Sequence, residues 1–333
     1  MKKTLLYLAV FLVFVVIVNT NAQNQINHYN DQGLSSESLL EEDVKIYSNM
    51  RDREFIRLGV DGRDKFRYVY KFFETRIYLL AINHLAKPAH TYVFVLYHSL
   101  VLFFIYIVSL GLFNFSKKKL LVNDIAASLL LLLLVSYLFA TTNILSDERF
   151  TLVETLAVSI ALYASINQKI LMFIGAVLLG VSNRESAVML SIFYPLINYR
   201  LISKWKKLVL SLSGFILLIL LNFDIFQQIN LEMIVYGMER NNRISVIKLI
   251  SYIIKYGLFL LPLFFMLWSL TRDDIIYGKV LILVVLYLIM IFFGSFLGNT
   301  LLLFIFIPFY LFALGQYLQS FSCCGPESLR HGG

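Results

Sequence analysis

The chain has 333 residues, 59% of them hydrophobic and 15% charged, with a mean hydropathy of +0.75 and a formal net charge of +8. Soluble domains hold about 45–50% apolar residues, so the composition argues against an ordinary soluble enzyme or binding domain and for a polytopic membrane protein. The positive balance does not call for nucleic acid: no zinc-finger spacing, phosphate-binding glycine loop or basic repeat is present, and membrane proteins gather Lys and Arg in their cytoplasmic loops.

The chain opens with Lys2 and Lys3 and an apolar run from Leu5 to Val18. That run is a first transmembrane helix or a signal-peptide core, with Thr20-Asn21-Ala22 as a loose cleavage site. A retained helix over 1–22 is the reading adopted, and either choice puts the next segment outside the cytoplasm. Residues 23–89 form the only long polar stretch, too long for a bare connector. It is read as a periplasmic first loop. Within it, "SLLEEDVKIYSNM" carries Glu41, Glu42 and Asp43. Carboxylates on an outer loop near a membrane could take a proton from an acceptor hydroxyl or help hold a divalent cation. They also suit the first turn of a helix capped by Ser38, which would hold Asp43 rigidly. Further on, Phe66, Tyr70, Phe73, Ile77, Leu80 and His84 recur at helical spacing. Arg67, Lys71, Glu74 and Arg76 fall on the other face. This predicts an amphipathic helix lying at the outer interface, preceded by a turn at Asp61-Gly62 and ended by Pro88. Its bases run against the positive-inside bias, so an anionic lipid headgroup or a lipid-linked phosphate is their natural partner.

Apolar runs follow at 90–114, 121–141, 151–166, 169–182, 186–199, 208–222, 248–270, 279–297 and 300–318. Together with the first helix they predict an all-α transmembrane bundle of about ten spans. Residues 90–320 make the multi-span domain and 321–333 a cytoplasmic tail. Lys117-Lys118-Lys119, Lys169, the Arg200/Lys204/Lys206/Lys207 cluster, and Arg272 with Lys279 fall on one side. With Lys2 and Lys3 that side is the cytoplasm, where both termini then lie. The bacterial inner membrane is the expected location. The runs between 151 and 199 are short enough to be tilted, broken or re-entrant. His84, His90 and His98 form no metal-ligand spacing, and the adjacent Cys323 and Cys324 make no disulfide framework.

One apolar stretch, "GAVLLGVSNRESAVMLSIFYPLI" over 175–197, carries Asn183, Arg184 and Glu185 at its centre. This reads as a tight turn or helix start at the outer face, with Ser182 or Asn183 as cap and Glu185 in the first turn. An ion pair on a solvated tip is worth little. Ionisable groups at membrane depth, by contrast, face a cavity or a partner. Glu154, just inside a span near the same face, should by the same rule have a polar partner. A second outer loop, 224–248, includes "YGMERNNRIS" and could cover the site or serve as a plain linker.

The order of these features resembles bacterial members of the GT-C superfamily of integral-membrane glycosyltransferases. An N-in first helix is followed by an acidic motif in the first outer loop, an interfacial helix with "FETRIYLLAINHL", and later "NRESAVMLSIFYPLI". Such enzymes often carry an acid near a tyrosine, then an R-x-L-x-P-like segment, then an Arg-Glu pair opening a helix. The matching positions are Asp43 with Tyr47, Arg76, and Arg184-Glu185. The family's proline has no counterpart after Arg76, and Glu41, Glu42 and Asp43 compete for the place of its acid.

The resemblance implies a polyprenyl-phosphate sugar as donor and a glycan, lipid or protein acceptor. Asp43, with Glu42 beside it, would be the general base. Arg76 and Arg184 would bind the donor phosphate, and Glu185 would orient Arg184 or touch the acceptor. Tyr47 and Glu154 complete the expected substrate-binding set. No cofactor is required beyond an optional divalent cation. Two other classes also suit an outer-face site rich in charge. A lipid-linked glycan flippase or transporter would want charges at the midplane of several spans. An O-antigen-type polysaccharide polymerase would want its arginine-rich loop late in the chain.

Overall fold

The computed structural model describes residues 2–31, 90–114, 150–183, 185–221, 246–272, 274–294 and 300–323, with scattered helical positions between 125 and 136. All regular structure among these residues is helical. The elements are α1 (Lys2–Asp31), α2 (His90–Phe113), α3 (Phe150–Ile166), α4 (Ile170–Asn183), a first 3-10 segment (Glu185–Ile192), α5 (Phe193–Ile197), α6 (Lys204–Leu221), α7 (Val246–Leu270), α8 (Ile275–Gly294), a second 3-10 segment (Thr300–Phe306) and α9 (Ile307–Cys323).

Within α1 and α2, Thr4–Asn24 and Val95–Phe113 are long and apolar enough to cross a membrane, at 21 and 19 residues. They pack against each other. Tyr7 and Phe14 meet the ring of Tyr106 edge-on at 6.1 and 6.4 Å, and Phe11 meets Phe103 at 5.5 Å. Tyr106 is fully buried and its hydroxyl pairs with Ser128 Oγ at 2.9 Å. Helix α1 continues beyond its apolar run to Asp31, through a polar stretch that contains neither Gly nor Pro to stop it.

The core is organised around α3. It contacts α2, α4, α5, α9 and both 3-10 segments, and both its apolar and its polar residues are buried. Ala157, Val158, Ala161 and Leu162 are buried on it, and so are Thr151, Glu154, Thr155 and Ser159. A helix enclosed on all sides must satisfy its own polar side chains. Thr155 and Ser159 do so by donating to the carbonyls of Thr151 and Thr155, at 2.7 and 2.8 Å. At its end the chain reverses through Gln168, which takes a left-handed φ of 59°, and α4 returns alongside.

Glycines set the closest approaches. A Cβ on Gly180 of α4 would stand 2.6 Å from Leu190 Cδ1 and 2.9 Å from Ala187 Cβ, so α4 touches the first 3-10 segment at that point. Gly214 brings α6 against the same segment at Val188 and Ser191. Gly315 brings α9 onto the backbone of Phe113 at the end of α2. Small residues at such crossings are how helices pack where lipid removes the hydrophobic drive.

The predicted span over 186–199 is not one α-helix. It begins as eight residues of 3-10 helix and becomes α-helical at Phe193. Pro195 falls in the first turn of α5, the part of an α-helix where its missing N–H costs least. The second 3-10 segment likewise gives way to α9 just before Pro308. A 3-10 turn rises about 2.0 Å per residue against about 1.5 Å in an α-helix. Glu185 to Ile197 therefore reaches about 23 Å, some 4 Å more than an α-helix of equal length. Elsewhere the bounds shift by several residues: α6 starts at Lys204 rather than at 208, α8 spans Ile275–Gly294 rather than 279–297, α9 runs on to Cys323 rather than 318, and α1 runs on to Asp31 rather than 22.

Much of the outer surface is apolar. Leu171, Trp205, Leu220, Leu258, Phe265 and Trp268 are all exposed. Large contiguous apolar surfaces drive association in water and are at home in hydrocarbon.

Candidate functional site

The start of the first 3-10 segment, at Glu185 and Ser186, is tied to α3 through Glu154. The Ser186 hydroxyl, immediately after the Arg-Glu pair, donates to Glu154 Oε1 at 2.6 Å. The Tyr287 hydroxyl of α8 donates to the same oxygen at 3.2 Å. Glu154 and Asn183 are wholly enclosed, and Ser186 is buried. The short Ser186 contact has the length of a charge-assisted hydrogen bond. Enclosing a carboxyl group is costly unless it is hydrogen-bonded, and the Ser186 and Tyr287 hydroxyls offset part of that cost at Oε1. Three elements distant in sequence (α3, the first 3-10 segment and α8) converge on one oxygen.

Packing fixes the third member. The Tyr287 ring is buried and meets Phe193 edge-on at 6.0 Å, while Phe193 in turn packs on Phe309 at 6.0 Å. Tyr287→Phe keeps the ring and removes one hydroxyl. The expected cost is about 1 kcal/mol, or about 2 °C in melting temperature, measurable by thermal unfolding of the protein in micelles.

The opposite end of the bundle is a second polar layer of different character. Ser165 lies three turns beyond Glu154 on α3, about 16 Å away along the axis. Its carbonyl accepts from Asn198 Nδ2 at 2.8 Å. Lys279 Nζ donates to the Ile197 carbonyl at 2.6 Å, placing a cation on the carbonyl end of α5 as the helix dipole favours. Tyr277 of α8 reaches Gln316 of α9 at 3.5 Å. Lys169, Arg200, Lys204, Lys206, Lys207 and Arg272 all lie in the chain around this end, and Asp274 caps the start of α8 by accepting from the Ile276 amide at 2.9 Å. The two ends are thus chemically distinct: buried carboxylate and hydroxyls at one, cations at the other.

Of the residues singled out in the sequence, Glu154 lies among the described residues with its side chain, and it has polar partners in Ser186 and Tyr287. Glu185 opens the 3-10 segment, with its side chain outside the described residues. Glu42, Asp43, Tyr47, Arg76 and Arg184 also lie outside the described residues, as do the 32–89 part of the first loop and the predicted interfacial helix. Among the described residues no group of three or more His, Cys, Asp or Glu could hold a metal ion. Two contributors escaped the sequence reading. Ser186 adjoins the Arg-Glu pair but looked like part of an apolar helix. Tyr287 stands in "LVVLYLIMIFF", where the single signal is a phenol whose hydroxyl needs a partner once buried.

Comparison of the chain with protein-family models, with curated proteins and with solved structures finds no match. What the site can do follows from its own residues. A buried acceptor that grips Ser186 holds the second residue of the first 3-10 segment against α3.

Proposed function

We propose that the chain is a polytopic membrane glycosyltransferase of the GT-C kind. It would transfer a hexosyl or pentosyl group from a polyprenyl phosphate to an acceptor hydroxyl at the outer membrane face. The observation that carries this reading is the enclosed Glu154 carboxyl group bonded to Ser186, which follows the Arg184-Glu185 pair in the chain, at the end of the bundle away from the cations. Preorganised charge aimed at a developing anion is the main source of catalysis in such transfers.

In this reading Arg184 and Arg76 bind the donor phosphate. Asp43 takes the proton from the acceptor hydroxyl as its oxygen attacks the anomeric carbon from the far side. The bond from that carbon to the phosphate oxygen breaks, and the polyprenyl phosphate leaves with the electron pair and a full anionic charge. Glu42 and Tyr47 support Asp43, and Glu185 orients Arg184 or the acceptor. Glu154 acts as a positioning residue through Ser186. The basic end faces the cytoplasm, so the site opens to the periplasm of a bacterial inner membrane.

The test is transfer of radiolabelled sugar from polyprenyl phosphate in membranes with matched expression. Wild type and Lys118→Ala are expected to move label to an acceptor, while Asp43→Asn and Arg184→Ala lose at least about 100-fold. A wild type that transfers no sugar but carries labelled lipid or glycan across the bilayer would establish a transporter instead.

A further inference from the structure

The basic end carries a feature that the transfer reaction does not use. Between Tyr199 and Lys207 the chain holds Arg200, Lys204, Lys206 and Lys207 with no acid among them. Three of these cations begin α6, which has no acidic residue in its first turn. The positive end of a helix dipole repels cations, so this crowding works against the helix it starts. Ser203 offers weak help, its hydroxyl accepting from the Lys206 amide at 3.5 Å. Asp274, the nearby acid, is engaged in capping α8. Set among the cations are Trp205, 78% exposed, Leu201, 66% exposed, and Tyr199, 60% exposed. Lys207 Nζ lies 3.4 Å from the centroid of the Tyr199 ring, which holds that cation at the surface. Beyond Trp205, Leu208 and Val209 continue the exposed apolar face along α6.

We propose that residues 199–207 form a docking surface selective for anionic phospholipid headgroups in the leaflet at the basic end. The uncompensated cations require anionic groups from outside the chain. The exposed indole and leucines identify the source. A free phosphate ion gains nothing from them, whereas a lipid brings a phosphate and acyl chains at the same spacing as the cations and the apolar face. The surface would fix the depth and rotation of α6, and through Gly214 the placement of the first 3-10 segment packed on it.

The chain has two tryptophans, so Trp268→Phe leaves Trp205 as the sole fluorophore. The full chain with that substitution is placed in nanodiscs of phosphatidylcholine with phosphatidylglycerol, one lipid brominated at a time. Brominated phosphatidylglycerol is expected to quench Trp205 about fivefold more per mole than brominated phosphatidylcholine, the factor for about one cation's attraction to an anionic surface. Adding Lys204→Gln, Lys206→Gln and Lys207→Gln should equalise the two lipids, and the corresponding three arginine changes should keep the preference. Equal quenching in the parent would overturn the proposal, as would a preference that survives the glutamines or disappears with the arginines. A preference abolished by millimolar inorganic phosphate at constant ionic strength would also overturn it, because the occupant would then be the free ion.

Discussion

Glu154→Ala is expected to lower stability by about 2–3 kcal/mol and to abolish sugar transfer. The substitution removes the acceptor of the Ser186 and Tyr287 hydroxyls and leaves a hollow in the most enclosed part of the core. Losing a charged acceptor contributes about 1.5–3 kcal/mol, less where the medium lets the donors re-pair, and the hollow adds to it. Glu154→Gln separates fold from function. The amide oxygen can still accept from Ser186, so most stability should remain, within about 1 kcal/mol of wild type. Yet the amide cannot reproduce the acceptor character of both carboxyl oxygens, so transfer should fall by at least about tenfold with little change in apparent donor affinity. Thermal unfolding and steady-state kinetics on the two variants check this. An alanine variant as stable and active as wild type would mean that Glu154 neither supports the turn nor serves the reaction.

Gly315→Ala is expected to be the most damaging of the conservative glycine changes. A methyl group there would run into the carbonyl oxygen of Phe113 and come within 2.8 and 2.9 Å of its Cα and carbonyl carbon. These are backbone atoms, so no rotamer change relieves the clash and α9 must move away from α2. Overpacking of this kind costs about 3 kcal/mol, seen as a melting temperature lower by several degrees and a smaller folded yield. Gly175→Ala is the matched control. A Cβ there meets nothing within 4 Å, so the better helix propensity of alanine should leave the protein unchanged or stabilise it by about 0.5–1 kcal/mol. Equal effects at the two sites would show that α2 and α9 do not meet at Phe113.

Helix positions were largely legible in the sequence because apolar run length is a local property. The run read at 169–182 is α4, Ile170–Asn183, and that at 151–166 is α3, Phe150–Ile166. The need of Glu154 for a polar partner was also legible, since an enclosed carboxylate has few options. The identity of that partner was not. Tyr287 lies 133 residues away, and nothing local to either residue encodes the pairing. The 3-10 form of Glu185–Ile192 was hidden because its apolar pattern suits any helix. Pro195 held the clue, since a proline is best tolerated in the first turn of a helix and so marks a start just before it. The approach of Gly315 to Phe113 was likewise silent, because a glycine in an apolar run does not say whether another backbone comes close. The chemistry proposed for Asp43, Arg76 and Arg184 rests on residue type, order and resemblance.

The central claim is that the Glu154-anchored turn and the cationic end lie on opposite faces of a bilayer. Single cysteines at Ser182, just before the Arg-Glu pair, and at the exposed Ser203, beside the lysine cluster, test it most directly. Both are made in a Cys323→Ser, Cys324→Ser background and treated with a membrane-impermeant maleimide. Ser182→Cys is expected to react in intact spheroplasts, and Ser203→Cys only after the membrane is permeabilised. Labelling of both positions from the same side, or of Ser203→Cys alone in intact spheroplasts, would contradict the account and remove the outer-face transferase with it.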